Sequence, residues 1–241
     1  MSDVLLSFTD VSVSFKARFR FGASEKLVLK DVNFSVERGQ SIGVLGGNGA
    51  GKSTLLALAA GILGPNTGTV RNHNAEVALL SLNLGFDAIL SGRINATMSG
   101  LLHGLKKAEV ARVLEEIKEY SGLGESFEQP LYTYSAGMRA RLGFAISQYV
   151  SPDVLLIDEV LGVGDQEFRD KSSRSLRERI RREDQAVILV SHNAITLVDL
   201  CNRFLFVNEQ TVREVSAEEL KALQDLASVR RKEAAEAVQE G

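Results

Sequence analysis

Apolar and polar positions change their spacing along this chain, and each change marks an element. Between Val4 and Phe15, the residues Phe8, Val11, Val13 and Phe15 recur at a period near two, which predicts a half-buried strand. Leu27 to Val36 predicts a second strand, ended by the turn Glu37-Arg38-Gly39-Gln40. The stretch between them, Lys16 to Lys26, alternates cations with Phe15, Phe19 and Phe21 and reads as a twisted hairpin extension. Ser41 to Leu45 is a short apolar strand, and Ser53 to Ala60 follows it with a helical pattern. Thr69 to Arg71 and Val77 to Leu80 predict short strands.

From about Ile89 to Val150 the spacing becomes helical. Val110, Val113, Leu114 and Ile117 fall at i, i+3, i+4 and i+7, one face of an amphipathic helix. Ser135 to Val150 predicts another helix. Val154 to Ile157 and Ala186 to Val190 are continuous apolar runs, as expected of strands covered on both faces of a parallel sheet. Gln166 to Glu183 and Ile195 to Cys201 read as helices, and Arg203 to Val207 and Thr211 to Val215 as closing strands.

Strands alternating with helices indicate an α/β fold with a mainly parallel core sheet. The first strands form an N-terminal antiparallel β subdomain, and about 89–150 is an inserted helical subdomain. One domain is expected over 1–215, followed by a charged helical tail over 216–241. In that tail Leu220, Leu223 and Leu226 fall at i, i+3 and i+6, so its first turns should dock and the rest fray. Arg174, Arg177, Arg179, Arg181 and Arg182 crowd one helix with Glu178 and Glu183 between them, which predicts a solvated face.

Composition narrows this little. The chain has 241 residues, 44% hydrophobic and 24% charged, with a net charge of −3. That balance gives no global pull toward nucleic acid, and no nucleic-acid partner is expected. Cys201 is the only cysteine, so no intramolecular disulfide can form. The N-terminus lacks the basic-then-apolar pattern of a signal peptide. Apolar runs such as Leu55 to Leu63 are far shorter than a bilayer span. A role at a membrane would run through a partner.

The stretch Gly46 to Thr54 changes the picture most. Gly46, Gly47, Asn48, Gly49, Ala50, Gly51, Lys52, Ser53 and Thr54 fit G-x-x-x-x-G-K-[ST] between a strand and a helix. Without bulky Cβ atoms, successive N–H groups curl around a phosphate, and the helix start turns its positive end to the same anion. Lys52 would reach the β- and γ-phosphates, and the Ser53 hydroxyl would ligate Mg²⁺. A Gly-rich turn that binds nothing is the bland alternative, and the strand–loop–helix setting disfavours it.

The apolar run Val154 to Ile157 leads into Asp158 and Glu159. At the carboxyl end of a buried strand, Asp158 is placed to hold Mg²⁺ opposite Ser53. Glu159 is placed as the base for an attacking water. His192 follows the next buried strand and would meet the γ-phosphate. Many strand-end histidines only cap a turn.

A further motif, Tyr134 to Met138 (YSAGM), opens the Ser135 helix. With GGNGAGKST, VLLIDE and SHN in this order, the chain resembles the nucleotide-binding subunit of an ABC transporter, a P-loop NTPase, over roughly Val4 to Val215. The usual signature is LSGGQ; Ser135 and Gly137 match it, while Ala136 and Met138 depart. The resemblance implies that Ser135, Ala136 and Gly137 of a second copy close on the γ-phosphate of ATP. It also implies Phe15 as the aromatic on adenine and Asp165 as a loop aspartate at the dimer interface. The glutamine usual after the strand near Val77 to Leu80 is missing, and Ser81 or Asn83 would stand in.

The phrases LNLGFDAILSGRIN, YSAGMRARLGFA and IDEVLGVGDQEF look like the ATPases that export lipid-linked polysaccharides such as O-antigen, capsule or teichoic acid. That implies an ATPase using ATP and Mg²⁺, with Lys52, Glu159 and His192 in catalysis. It implies a homodimer under an integral-membrane permease, peripheral on the cytoplasmic face of the bacterial inner membrane. The glycan would pass through the permease. The segment Lys16 to Lys26 is then either a solvated extension or a contact for a lipid pyrophosphate. Export of another substrate, a soluble non-transport ABC protein and a non-hydrolysing switch are the alternatives, the last disfavoured by Glu159.

Overall fold

The computed structural model describes residues 3–19, 22–80, 82–158 and 165–226, so Glu159 and Ser81 lie outside the described residues. In chain order the elements are β1 (Val4–Phe19), β2 (Gly22–Glu37), β3 (Ser41–Gly46), α1 (Lys52–Ala59), β4 (Thr67–Asn72) and β5 (Val77–Leu80). Then come α2 (Gly92–Leu102), α3 (Lys107–Ser121), α4 (Ala136–Ser147), β6 (Val154–Asp158), α5 (Gln166–Ile180) and β7 (Ala186–Ser191). The last are α6 (Ala194–Leu200), β8 (Arg203–Asn208) and β9 (Thr211–Val215). The chain divides into two compact units.

The first unit holds the described residues up to 77, 153–158 and 180–226. Its core sheet runs β6-β7-β3-β8-β9. The first four strands are parallel, and β9 pairs antiparallel with β8 at the edge. All six residues of β3 and all six of β7 are buried, as continuous apolar runs predict for central parallel strands. A second sheet, β2-β1-β4, is antiparallel. Phe8 and Phe34 stack across it with centroids 4.3 Å apart. It is tied to the core sheet where the Lys30 N–H donates to the Gln210 carbonyl at 2.7 Å.

β1 and β2 run further than their apolar spacing suggested, pairing from Val4–Glu37 out to Phe19–Gly22. The Lys16 to Lys26 stretch is therefore the end of a long hairpin, with Arg20 and Phe21 outside the described residues.

A helix over 217–226 follows β9. Ser216 caps it, its Oγ accepting from the Glu219 N–H at 3.2 Å, and Arg213 pairs with Glu219 at 2.5 Å. Leu220 is fully buried, while Leu226 is 60% exposed, so the first turns dock as expected.

The second unit holds 78–152 and, of its remaining described residues, 165–179. Its core gathers Ile117, Phe127, Leu131, Leu142 and Ile146, with Val113 and Leu114 packed against it. The predicted face of α3 is thus the face that is buried.

The arginine-rich helix departs from expectation. It stops at Ile180, so Arg181 and Arg182 lie beyond it. Arg179 is not solvated but only 6% exposed. Its guanidinium donates to the Ser147 carbonyl at 2.6 Å and to the Val150 carbonyl. These carbonyls lie at and just past the C-terminus of α4, where the negative end of the helix favours a cation. Among the described residues, no helix is long and apolar enough to cross a membrane.

Candidate functional site

The phosphate loop begins where β3 runs out of room for side chains. A Cβ at Gly46 would sit 2.5 Å from the Val207 carbonyl oxygen on β8, so only glycine fits. Gly51, the N-cap of α1, has φ 110°, in the left-handed region that glycine alone enters freely. Gly51 has no side chain with which to cap α1, and the first turn of the helix holds no acid. The starts of α2, α4 and α6 are instead capped by Ser91, Ser135 and Asn193. A glycine N-cap keeps the start of α1 open to an outside anion, which suits a phosphate. Gly47, Asn48 and Gly49 are exposed; Ala50, Gly51, Lys52 and Thr54 are half-buried. Lys52 arches back over the loop, its Nζ donating to the Gly46 carbonyl at 2.9 Å and the Gly47 carbonyl at 3.0 Å.

The parallel register carries the other residues to the same edge. Leu45 pairs with Ser191 and Asp158 with Val190, so Gly46, Asp158 and His192 leave the carboxyl ends of β3, β6 and β7. Asp158 does not neighbour the phosphate loop strand directly. β7, which leads into His192, runs between β3 and β6. The gap is closed from α1: the exposed Ser53 Oγ donates to Asp158 Oδ2 at 3.1 Å. A hydroxyl and a carboxylate at this distance are two oxygen ligands of the kind Mg²⁺ takes alongside phosphate oxygens. His192 is exposed. Asn193 after it caps α6, accepting from the N–H groups of Ile195 at 2.9 Å and Thr196 at 3.2 Å. Phe15 on β1 is 46% exposed, so it is no part of the core.

In the second unit, Ser135 and Ala136 are exposed and Gly137 is half-buried. Ser135 Oγ accepts from the Met138 N–H at 3.2 Å, which makes Ser135 the N-cap of α4. Tyr134 anchors the turn before it. The ring is buried, and its hydroxyl donates to the Ser126 carbonyl at 2.5 Å. Burial, with a smaller push from the Glu128 charge, raises that phenol to about 12.

Asp165 caps α5, accepting from the Phe168 N–H at 2.9 Å, and pairs with Arg141 on α4 at 3.2 Å. Arg141 also donates to the carbonyls of Ser121 at 2.7 Å and Gly122 at 2.8 Å, at the end of α3. On α4, Gly143 lies against the backbone of Leu82, where any Cβ would collide with the Leu82 carbonyl. The phrases LNLGFD and RLGFA thus meet backbone to helix.

The family model described as ABC transporter matches residues 29–162. The O-antigen export system ATP-binding protein RfbB of Klebsiella pneumoniae is 39% identical over 193 residues, 80% of this chain and 78% of that protein. The chain belongs to the ABC transporter family. It is an ATPase of that family, and the loop from Gly46 to Thr54 lies within the matched residues. A second relative, the teichoic acids export ATP-binding protein TagH of Shouchella clausii, is 37% identical over 186 residues, 77% of this chain but 51% of that protein.

Solved ABC structures share the fold at low identity. A dimeric ATP-binding cassette in a post-hydrolysis state with ADP and phosphate superposes with a TM-score of 0.71 at 19% identity, covering 88% of this chain and 99% of that one. An ATP-binding subunit of an ABC transporter gives 0.72 at 21%, covering 92% and 99%.

Three residues that shape this ABC ATPase carry no local signal of their roles in the sequence. They are Tyr134 beneath the signature turn, Arg141 beneath Asp165, and Asn95. Asn95 is fully buried and binds the loop before α2 through the Asp87 N–H at 2.7 Å and the Leu90 and Ser91 carbonyls at 3.0 and 2.9 Å. A lone polar residue on a helix gives no signal for such long reach.

Proposed function

We propose that this ABC ATPase drives the export of a lipid-linked polysaccharide, working as a homodimer beneath a separate permease on the cytoplasmic face of the bacterial inner membrane. The observation that carries the chemistry is the Ser53–Asp158 pair beside the glycine-capped start of α1. In this reading Lys52 holds the β- and γ-phosphates, and Ser53 and Asp158 hold Mg²⁺. The metal, when bound, neutralises charge on the phosphate oxygens. Glu159 takes the proton of the attacking water, and His192 hydrogen-bonds the γ-phosphate. Phe15, exposed on its strand, stacks on adenine. Ser135, Ala136, Gly137 and Asp165 are supplied by the second copy. The glycan is supported by the relatives, whose names assign them to O-antigen and teichoic acid export.

The permease is supported by an apolar face on α2. Ile94, Leu101 and Leu102 lie at i, i+7 and i+8 and are 46%, 43% and 59% exposed. Leu84 and Ile89, in the loop that Asn95 holds, add 36% and 74% exposure. Such a face, on a loop with its backbone fixed, suits an apolar helical segment of a membrane protein.

Two experiments test this. Deleting the gene should strip glycan from the cell surface and leave lipid-linked glycan inside the membrane; unchanged surface glycan would sink the export role. Ile94→Glu with Leu101→Glu should abolish co-purification with the permease. Its melting temperature should stay near wild type, because each substitution is at the surface and costs roughly 0.5 kcal/mol or less. Retained co-purification would move the docking face elsewhere.

A further inference from the structure

The C-terminal helix over 217–226 reaches the turn that carries His192. Gln224 Nε2 donates to the His192 carbonyl at 3.0 Å, and Gln224 Oε1 accepts from the Ala194 N–H at 2.7 Å. One amide thus grips the chain on both sides of Asn193. The grip is built from several directions. Gln224 is four residues after the buried Leu220, so both share one helix face. The helix start is fixed by the Ser216 cap and the Arg213–Glu219 pair. From the strand side, Ser191 Oγ accepts the Asn193 N–H at 3.1 Å. Residues 191–194 are therefore held by β7, by α6 and by a third element that follows the whole nucleotide fold.

We infer that Gln224 is a positioning residue for His192, so that the tail helix sets the geometry of the γ-phosphate contact. The inference rests on the proposed role of His192. A carboxamide is the side chain the position needs: it offers one donor and one acceptor at its tip, matching a carbonyl and an N–H two residues apart. A glutamate keeps the acceptor for Ala194 and sets a second oxygen against the His192 carbonyl. An alanine loses both bonds. Leu220 keeps the helix docked in either case.

The test uses the full chain with ATP and Mg²⁺, measuring single-turnover rates, KM for ATP and melting temperature. Gln224→Glu and Gln224→Ala should each lower the hydrolysis rate roughly tenfold, the effect of about one hydrogen bond's free energy at the transition state. KM should change by less than about twofold, since most phosphate contacts lie on the P-loop. In a His192→Ala background neither substitution should lower the rate further, because residues acting as a unit are not additive. A wild-type rate in Gln224→Glu would overturn the inference. So would an equal further loss in the His192→Ala background, which a purely structural role for the tail would give. His192→Ala with a wild-type rate would instead remove the proposed role of His192, and the inference with it.

Discussion

Glu159→Gln is expected to slow ATP turnover by about 10²–10⁴-fold, the contribution of a positioned general base. Glutamine keeps the size and a hydrogen-bonding tip but cannot take the proton of the attacking water. The preceding Asp158 lies at the carboxyl edge of the sheet, bonded to Ser53 at 3.1 Å. The P-loop and the metal ligands are untouched, so ATP should still bind. With hydrolysis blocked, the two copies should stay closed on two nucleotides. Gel filtration with ATP and Mg²⁺ should then show a stable dimer for the variant and a mixture dominated by monomer for the wild type. Wild-type turnover would remove Glu159 from the base role. Slow turnover without a dimer would show that Ser135 and Gly137 of a second copy do not complete the site.

The second large effect concerns stability. Arg179→Met should destabilise the second unit by about 3 kcal/mol, since hydrogen bonds from a charged donor contribute roughly 1.5–3 kcal/mol each. Two carbonyls near the end of α4, those of Ser147 and Val150, lose that donor. For a chain of this size the loss corresponds to a fall in melting temperature of roughly 6–12 °C. Arg174→Met on the same helix is the control. Arg174 is exposed, and its substitution should move the transition by no more than about 2 °C. Equal shifts for the two would mean that burial of Arg179 does not govern the stability of α5.

The contrast between these two arginines shows what the sequence could carry. Spacing located the central strands, because β3 and β7 are buried on both faces and have no polar side to disguise them. It placed the α3 face for the opposite reason, since there a polar side sets off the apolar one. The strand–loop–helix setting of Gly46–Thr54 was legible because that motif occupies consecutive residues. Strand order was not. That β7 separates β3 from β6 follows from crossovers, which leave no trace in the spacing of either strand. Arg179 gives no sign of its burial because its helix pattern is polar, and its partners lie about thirty residues earlier, at and just past the end of another helix. Gln224 was silent for a like reason: a lone glutamine in a charged tail gives no hint that it closes on His192. Long side chains that cap distant backbone are set by tertiary packing, which local spacing does not encode.

The contact of Gly143 with Leu82 has a mechanical consequence. Main chain rests on helix there with no side chain between them, so there is no rotamer to yield under load. Ser135 stands eight residues up the same rod, about 12 Å away at 1.5 Å per residue. A push on the loop around Leu84 and Ile89 is therefore delivered to α4 as displacement, and is not absorbed as side-chain strain. A larger residue at position 143 would pry the loop off the helix and put a hinge where the protein has a splint.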